Sequence, residues 1–133
     1  MSSNIINHEQ KSSVSAFISA CEQSGDLHGS ELMKELKSLL RGKEISFGGL
    51  GGDLMKAEGQ KALYHIKDLA TVGFTDVIKK YPFFKKVISD CVECIKLNDP
   101  DVVVLIDYPG FNIRLAEELK QFCKKKIIDY ISP

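Results

Sequence analysis

No stretch of the 133-residue chain comes near the roughly 20 consecutive apolar residues that a membrane-spanning helix needs. Residues 1–13 are polar and lack the apolar centre of an export signal, so they read as a frayed leader, and the expected compartment is the cytoplasm. Neither sign of charge is in excess. Eighteen Lys and Arg balance eighteen Asp and Glu, which removes the global field that draws a chain to nucleic acid, and no nucleic acid partner is expected. Histidine is scarce, and none of His8, His28 and His65 joins Cys91-Val-Glu-Cys94 at metal-ligand spacing. No metal or cofactor is therefore expected, and the two cysteines read as half-buried, reduced thiols sharing a helical face. Repeats, linkers and low-complexity segments are absent as well. The 44% apolar and 27% charged composition suits one soluble domain with its own core.

What the chain does have is alternation. Residues 14–20 form a short, partly β-branched apolar run that predicts a buried strand. Leu27, Leu32, Leu36, Leu39 and Leu40 then recur at helical spacing, with Ser24 or Asp26 as the expected cap. A second strand is expected over 45–48, a turn at Gly48-Gly-Leu-Gly-Gly52, and a short helix over 53–58 closed by Gly59. A third strand is expected over 62–66. Residues 74–97 have a helical pattern that Pro82 must break or restart. Val102-Val-Val-Leu-Ile106 is apolar at every position, as a central parallel strand covered on both faces must be. A turn at 108–111, a helix over 112–124 and a last strand over 126–131 complete the series. Strands alternating with helices predict an α/β fold, a Rossmann-like parallel sheet with flanking helices.

Ligands of such sheets bind beyond the carboxyl ends of the strands, and two segments fall there. In Glu22-Gln-Ser-Gly-Asp26, Gly25 permits a tight turn, Ser24 adds a hydroxyl, and the following helix offers N–H groups and a positive dipole end to a sugar hydroxyl or phosphate. The bland alternative is a capped strand-to-helix turn. In Asp107-Tyr-Pro-Gly-Phe-Asn112, a carboxylate directly after the apolar strand is partly desolvated and suits general-base work on a substrate hydroxyl. Its alternative is a carboxylate that only accepts backbone N–H bonds, while Asn112 either binds a ligand or caps the next helix. The glycine run at 48–52 matches neither phosphate-loop pattern and reads as a flexible turn. Phe74, Val77, Ile78 and Tyr81 share one helical face, Phe84 extends it, and Lys79, Lys80, Lys85 and Lys86 flank it. Such a face either lies in a lipid headgroup layer or turns into the core.

Taken in order, these segments resemble lipid-A-disaccharide synthase. The resemblance covers about residues 15–133 and rests on Glu22-Gln-Ser-Gly-Asp26, Gly49-Leu-Gly-Gly-Asp-Leu-Met-Lys-Ala-Glu-Gly59, Leu69-Ala-Thr-Val-Gly-Phe74, Ile106-Asp-Tyr-Pro-Gly-Phe-Asn112 and Tyr130-Ile-Ser-Pro133. It implies an inverting transfer that joins UDP-2,3-diacylglucosamine to 2,3-diacylglucosamine 1-phosphate and releases UDP, on a two-lobed GT-B architecture. Residues 14–133 would then be the acceptor-side domain, cut before the UDP-binding domain and inactive alone. The implied partners are the two lipid-linked sugars, the inner-membrane surface, where the chain would sit peripherally, and a separate C-terminal half. Asp107 is the expected catalytic base. Glu22, Ser24, Gly25, Asp26 and Asn112 are expected to bind substrate, and Phe74, Val77, Ile78, Tyr81 and Phe84 to touch the membrane. Cys21 stands where glycine is usual, Val72 replaces a common methionine, Gly110 is an accepted variant, and the family's following tryptophan-containing segment is absent. Two rivals stand beside this reading: a non-catalytic Rossmann-like module that binds a nucleotide or an acylated sugar, and a small flavodoxin-like protein that seats a phosphate at Ser24.

Overall fold

The computed structural model describes residues 12–71, 81–121 and 126–130. Five parallel strands, β1 (Ser13–Ser19), β2 (Glu44–Gly51), β3 (Gln60–His65), β4 (Val102–Ile106) and β5 (Lys126–Tyr130), lie in the order β3-β2-β1-β4-β5. The helices between them are α1 (Gln23–Leu39), α2 (Asp53–Ala57), α3 (Ile66–Thr71), α4 (Tyr81–Asn98) and α5 (Pro109–Leu119). This is the expected Rossmann-like sheet. Its strand order differs from the flavodoxin-like one, in which the second strand is at the edge and the first beside it, so the flavodoxin-like rival falls. The direction of winding reverses between β1 and β4, the place where open α/β sheets present ligands.

Alternation along the strands divides the core into two layers. On one face Phe17, Leu50, Val103 and Leu105 meet Val87, Cys91 and Ile95 of α4 and Phe111 and Leu115 of α5. On the other, Ala16, Ile18, Val104 and Ile106 meet Met33 of α1 and Met55 of α2. Each fully buried side chain of this size contributes about 1.5–3 kcal/mol relative to exposure. Tyr64 at the end of β3 donates its hydroxyl to Asp90 of α4, which also accepts from Lys86, so α4 is pinned across the β3 edge.

The glycine run is not a turn. β2 continues through Gly51, and its pairing with β3 shifts register between Gly49 and Leu50. Gly49 has φ +121°, and a Cβ there would stand 2.1 Å from the Ile18 carbonyl oxygen, so only glycine lets β2 lie this close to β1. The buried Gln60 amide serves the irregular stretch, donating to the carbonyls of Ile18 (2.9 Å), Gly48 (3.1 Å) and Leu50 (3.2 Å). Other boundaries moved for simpler reasons. α1 begins at Gln23, so Ser24 and Gly25 belong to its first turn, and α5 begins at Pro109, whose fixed φ suits a helix start. Pro82 is the second described residue of α4. α3 was hidden by the strand expected to end at Ile66. Gly59 closes α2 with φ +107°, as expected. Residues 1–11 of the expected leader and residues 74–80 of the expected helix lie outside the described residues, and Ser13, expected in the leader, starts β1.

Cys91 is fully buried, beyond the half-burial expected, and Cys94 is partly buried as expected. Burial pushes the Cys21 thiol up from 9.0 to about 12. A group that holds its proton longer when folded than when unfolded contributes stability that is complete below its unfolded value and is lost above it. The urea midpoint of the wild-type chain should therefore fall from pH 9 toward pH 12 more steeply than that of Cys21→Ala. Parallel pH curves for the two proteins would contradict the assignment.

Candidate functional site

β1, β2 and β3 all end on one side of the sheet, and the residues that follow them line a single cleft of about 870 Å³. The end of β1 supplies Glu22 and Ser24, the end of β2 supplies Asp53 and Leu54, and the end of β3 supplies His65, Ile66 and Lys67. Leu27 and Ala70 complete the apolar part of the lining. Leu27 and Leu54, which both line the cleft, remain 46% and 47% exposed.

Asp26 borders this cleft, but the structure commits its carboxylate elsewhere. One oxygen accepts from the backbone N–H of Gly52 (2.8 Å) and of Met55 (3.0 Å), and the other from Leu54 (3.0 Å). These are the N–H groups at the start of α2, which the helix itself leaves without carbonyl partners. A side chain at Gly52 would stand 2.7 Å from the Asp26 carboxylate, so that glycine is part of the same arrangement. Asp26, expected to bind substrate, is 4% exposed and clasps α2 with its carboxylate. Gly25 was expected to bind substrate as well. It is buried inside α1, where a Cβ would stand 3.1 Å from the Ala20 Cβ and 3.6 Å from Ile106, so its smallness seats α1 on the sheet rather than shaping a turn around a ligand.

Across the cleft from Ser24 lies a group that the motif reading passed over. The Nδ1 of His65 accepts from the Lys67 backbone N–H at 3.0 Å, which places the ring proton on Nε2. That Nε2 donates to Asp53 Oδ1 at 2.8 Å, and Lys67 Nζ stands 3.5 Å from Oδ2. The His65 hydrogen bond first, and the Lys67 ammonium second, hold the Asp53 carboxyl below its ordinary range. Both residues stand at carboxyl ends of strands, the rule that had singled out Ser24 and Asp107, and that position was the available signal.

Asp107 and Asn112 lie on the other side of β1, after β4, and neither lines the cleft. Asp107 is half-buried with φ 28°, and Tyr108 follows with φ 134°. Two consecutive non-glycine residues in this region are strained, and strain of this kind gathers at functional sites. The Asp107 N–H donates to the Tyr130 carbonyl of β5 at 2.9 Å, which fixes the bend. Asn112 does not cap α5; it is 1% exposed, and neither atom of its amide has a hydrogen-bond partner among the described residues. Of the expected membrane face, Phe84 is a correction. It is 7% exposed and packs edge-on against Phe111 at 5.6 Å, because the turn of α4 that carries it faces the sheet. Phe74, Val77, Ile78 and the Tyr81 side chain lie outside the described residues. Among those residues no helix is long and apolar enough to cross a membrane.

A family model described as Lipid-A-disaccharide synthetase matches residues 16–133. The chain belongs to that family. Within the lipid-A-disaccharide synthetases, it is 40% identical over 116 residues to Lipid-A-disaccharide synthase 1 of Legionella pneumophila strain Lens, covering 87% of this chain and 30% of the relative. It is 37% identical over 118 residues to the lipid-A-disaccharide synthase of Rhodopseudomonas palustris and 40% identical over 118 residues to that of Nitrobacter winogradskyi, each covering 88% of this chain and 30% of the relative. The chain thus spans about 30% of the length of the curated relatives it matches.

The clasp separates two neighbouring carboxylates by role. Asp26→Ala leaves buried N–H groups without an acceptor and should cost about 3 kcal/mol in urea unfolding. Asp53→Ala removes an exposed pair and should leave the midpoint close to wild type. Equal losses in the two variants would refute this division.

Proposed function

We propose that this chain is the acceptor-side domain of a lipid-A-disaccharide synthase, the N-terminal part of a two-lobed glycosyltransferase. The observation that carries the reading is the family match over residues 16–133, on a sheet whose switch point is flanked by the Ser24 and Asp107 segments. In the proposed reaction an acceptor hydroxyl of 2,3-diacylglucosamine 1-phosphate gives its proton to Asp107. The hydroxyl oxygen forms a bond to the anomeric carbon of UDP-2,3-diacylglucosamine, the bond from that carbon to the diphosphate breaks with inversion, and UDP leaves. Glu22 and Ser24 orient the sugar, and the buried, unpartnered amide of Asn112 in α5 is a further expected binding group. The UDP site belongs to the remaining length of the relatives, supplied in the same or a separate polypeptide. Without it, donor and acceptor are not held together, and positioning is most of the rate enhancement in such transfers.

The membrane part of the reading rests on Phe74, Val77, Ile78 and Tyr81 with their flanking lysines, without Phe84. It places the chain peripherally on the inner membrane, where acylated substrates reside.

An amide NMR titration of the labelled chain tests the reading. Micellar 2,3-diacylglucosamine 1-phosphate should shift Ser24, Asp107 and residues 74–81, while UDP and empty micelles should leave Ser24 and Asp107 in place. Shifts with UDP and none with the lipid sugar would overturn it in favour of a nucleotide-binding module.

A further inference from the structure

The Asp53–His65 pair needs an explanation beyond stability. α2 is already held by the Asp26 clasp and by the fully buried Met55, and a pair this exposed adds little to folding. What the pair does accomplish is to fix one carboxylate. His65 is oriented from behind by the Lys67 N–H, its Nε2 proton points at Asp53 Oδ1, and the Lys67 ammonium stands near Oδ2. With both ring nitrogens engaged, His65 is not free to act on a ligand; the group presented is the carboxylate of Asp53. Each carboxylate oxygen accepts more than one hydrogen bond, so acceptor capacity is left over toward the cleft. The same cleft is lined by Ser24 and Glu22 after β1, two strands along the sheet from His65 at the end of β3, and by Leu27 and Leu54. Two hydrogen-bonding walls around an apolar floor match a sugar ring that carries an acyl chain. They match a free phosphate poorly, because Glu22 and Asp53 would repel it.

We infer that Asp53 is a substrate-binding residue that accepts hydrogen bonds from sugar hydroxyls across the cleft from Ser24, with His65 as its positioning residue. The inference rests on the acylated-sugar reading and adds to it a second wall, formed after β2 and β3 rather than at the β1–β4 switch point.

Calorimetric titration of the 133-residue chain with water-soluble 2,3-dibutanoylglucosamine 1-phosphate tests it. Asp53→Asn keeps the shape and removes the charge, and should weaken binding about tenfold, the scale of one charge-assisted hydrogen bond. His65→Gln, whose amide retains a donor near the Nε2 position, should bind close to wild type, whereas His65→Leu should lose affinity as Asp53→Asn does. Thermal unfolding within a few degrees of wild type in all three identifies the effect as local. Wild-type affinity in Asp53→Asn, with affinity lost in Ser24→Ala, overturns the second wall and leaves the acylated-sugar reading standing. Equal loss in His65→Gln and His65→Leu overturns the positioning role. No binding by the wild-type chain overturns the acylated-sugar reading and this inference with it.

Discussion

The architecture of the cleft depends on one buried carboxylate. Asp26 projects from the first turn of α1 and takes three N–H groups at the start of α2. This joins the segment after β1 to the segment after β2. It also sets where Leu54 and Asp53 stand, since Leu54 gives one of the N–H groups that Asp26 holds and Asp53 lies between it and Gly52. A five-residue helix has too few internal hydrogen bonds to persist alone, so α2 exists because its orphan donors meet a charge and because Met55 is buried beneath it. Close approach is a condition of the arrangement: a Cβ would collide with the Ile18 backbone at Gly49 and with Asp26 at Gly52, and would be tight against the Ala20 Cβ at Gly25.

Two regions of potential chemistry then share one edge of the sheet. At the switch point, Asp107 emerges from β4 on strained backbone beside the N-terminus of α1. Over the ends of β1, β2 and β3, the cleft offers apolar area with polar walls. Ser24 and Glu22 stand between the two. In the proposed function this layout separates the reacting hydroxyl, at Asp107, from the body of the acylated sugar, in the cleft. That separation suits an enzyme that must hold a large amphiphile while exposing one oxygen to a donor held by other residues.

Much of the fold was legible because it follows from periodicity. The wholly apolar β4 announced a central strand, and the leucine spacing of α1 announced its helix. The glycine run misled because glycine signals both turns and bulges, and the difference lies in what the neighbouring strand does. Here Ile18 and Gln60 decide it, the latter distant in sequence and polar. Asp26 misled for a related reason. A carboxylate beside a strand end looks available until its donors are counted, and its three donors come from a segment 26 to 29 residues away. Phe84 lay on an apolar face that sequence could not assign to lipid or core; its contact with Phe111 assigns it to the core. Asp53 lay in the segment 49–59 without an assigned role and His65 in no motif, so only their positions at strand ends marked them, and their pairing exists only in three dimensions.

The central claim is that an acylated sugar occupies the cleft over the ends of β1, β2 and β3. Intermolecular NOEs between the methyl groups of a selectively labelled chain and bound 2,3-dibutanoylglucosamine 1-phosphate test it most directly. The account predicts contacts from acyl protons to the methyls of Leu27, Leu54, Ile66 and Ala70, the apolar lining of the cleft. Contacts confined to methyls remote from it, such as those of Leu63 and Leu97 beside β3 and α4, would contradict the account.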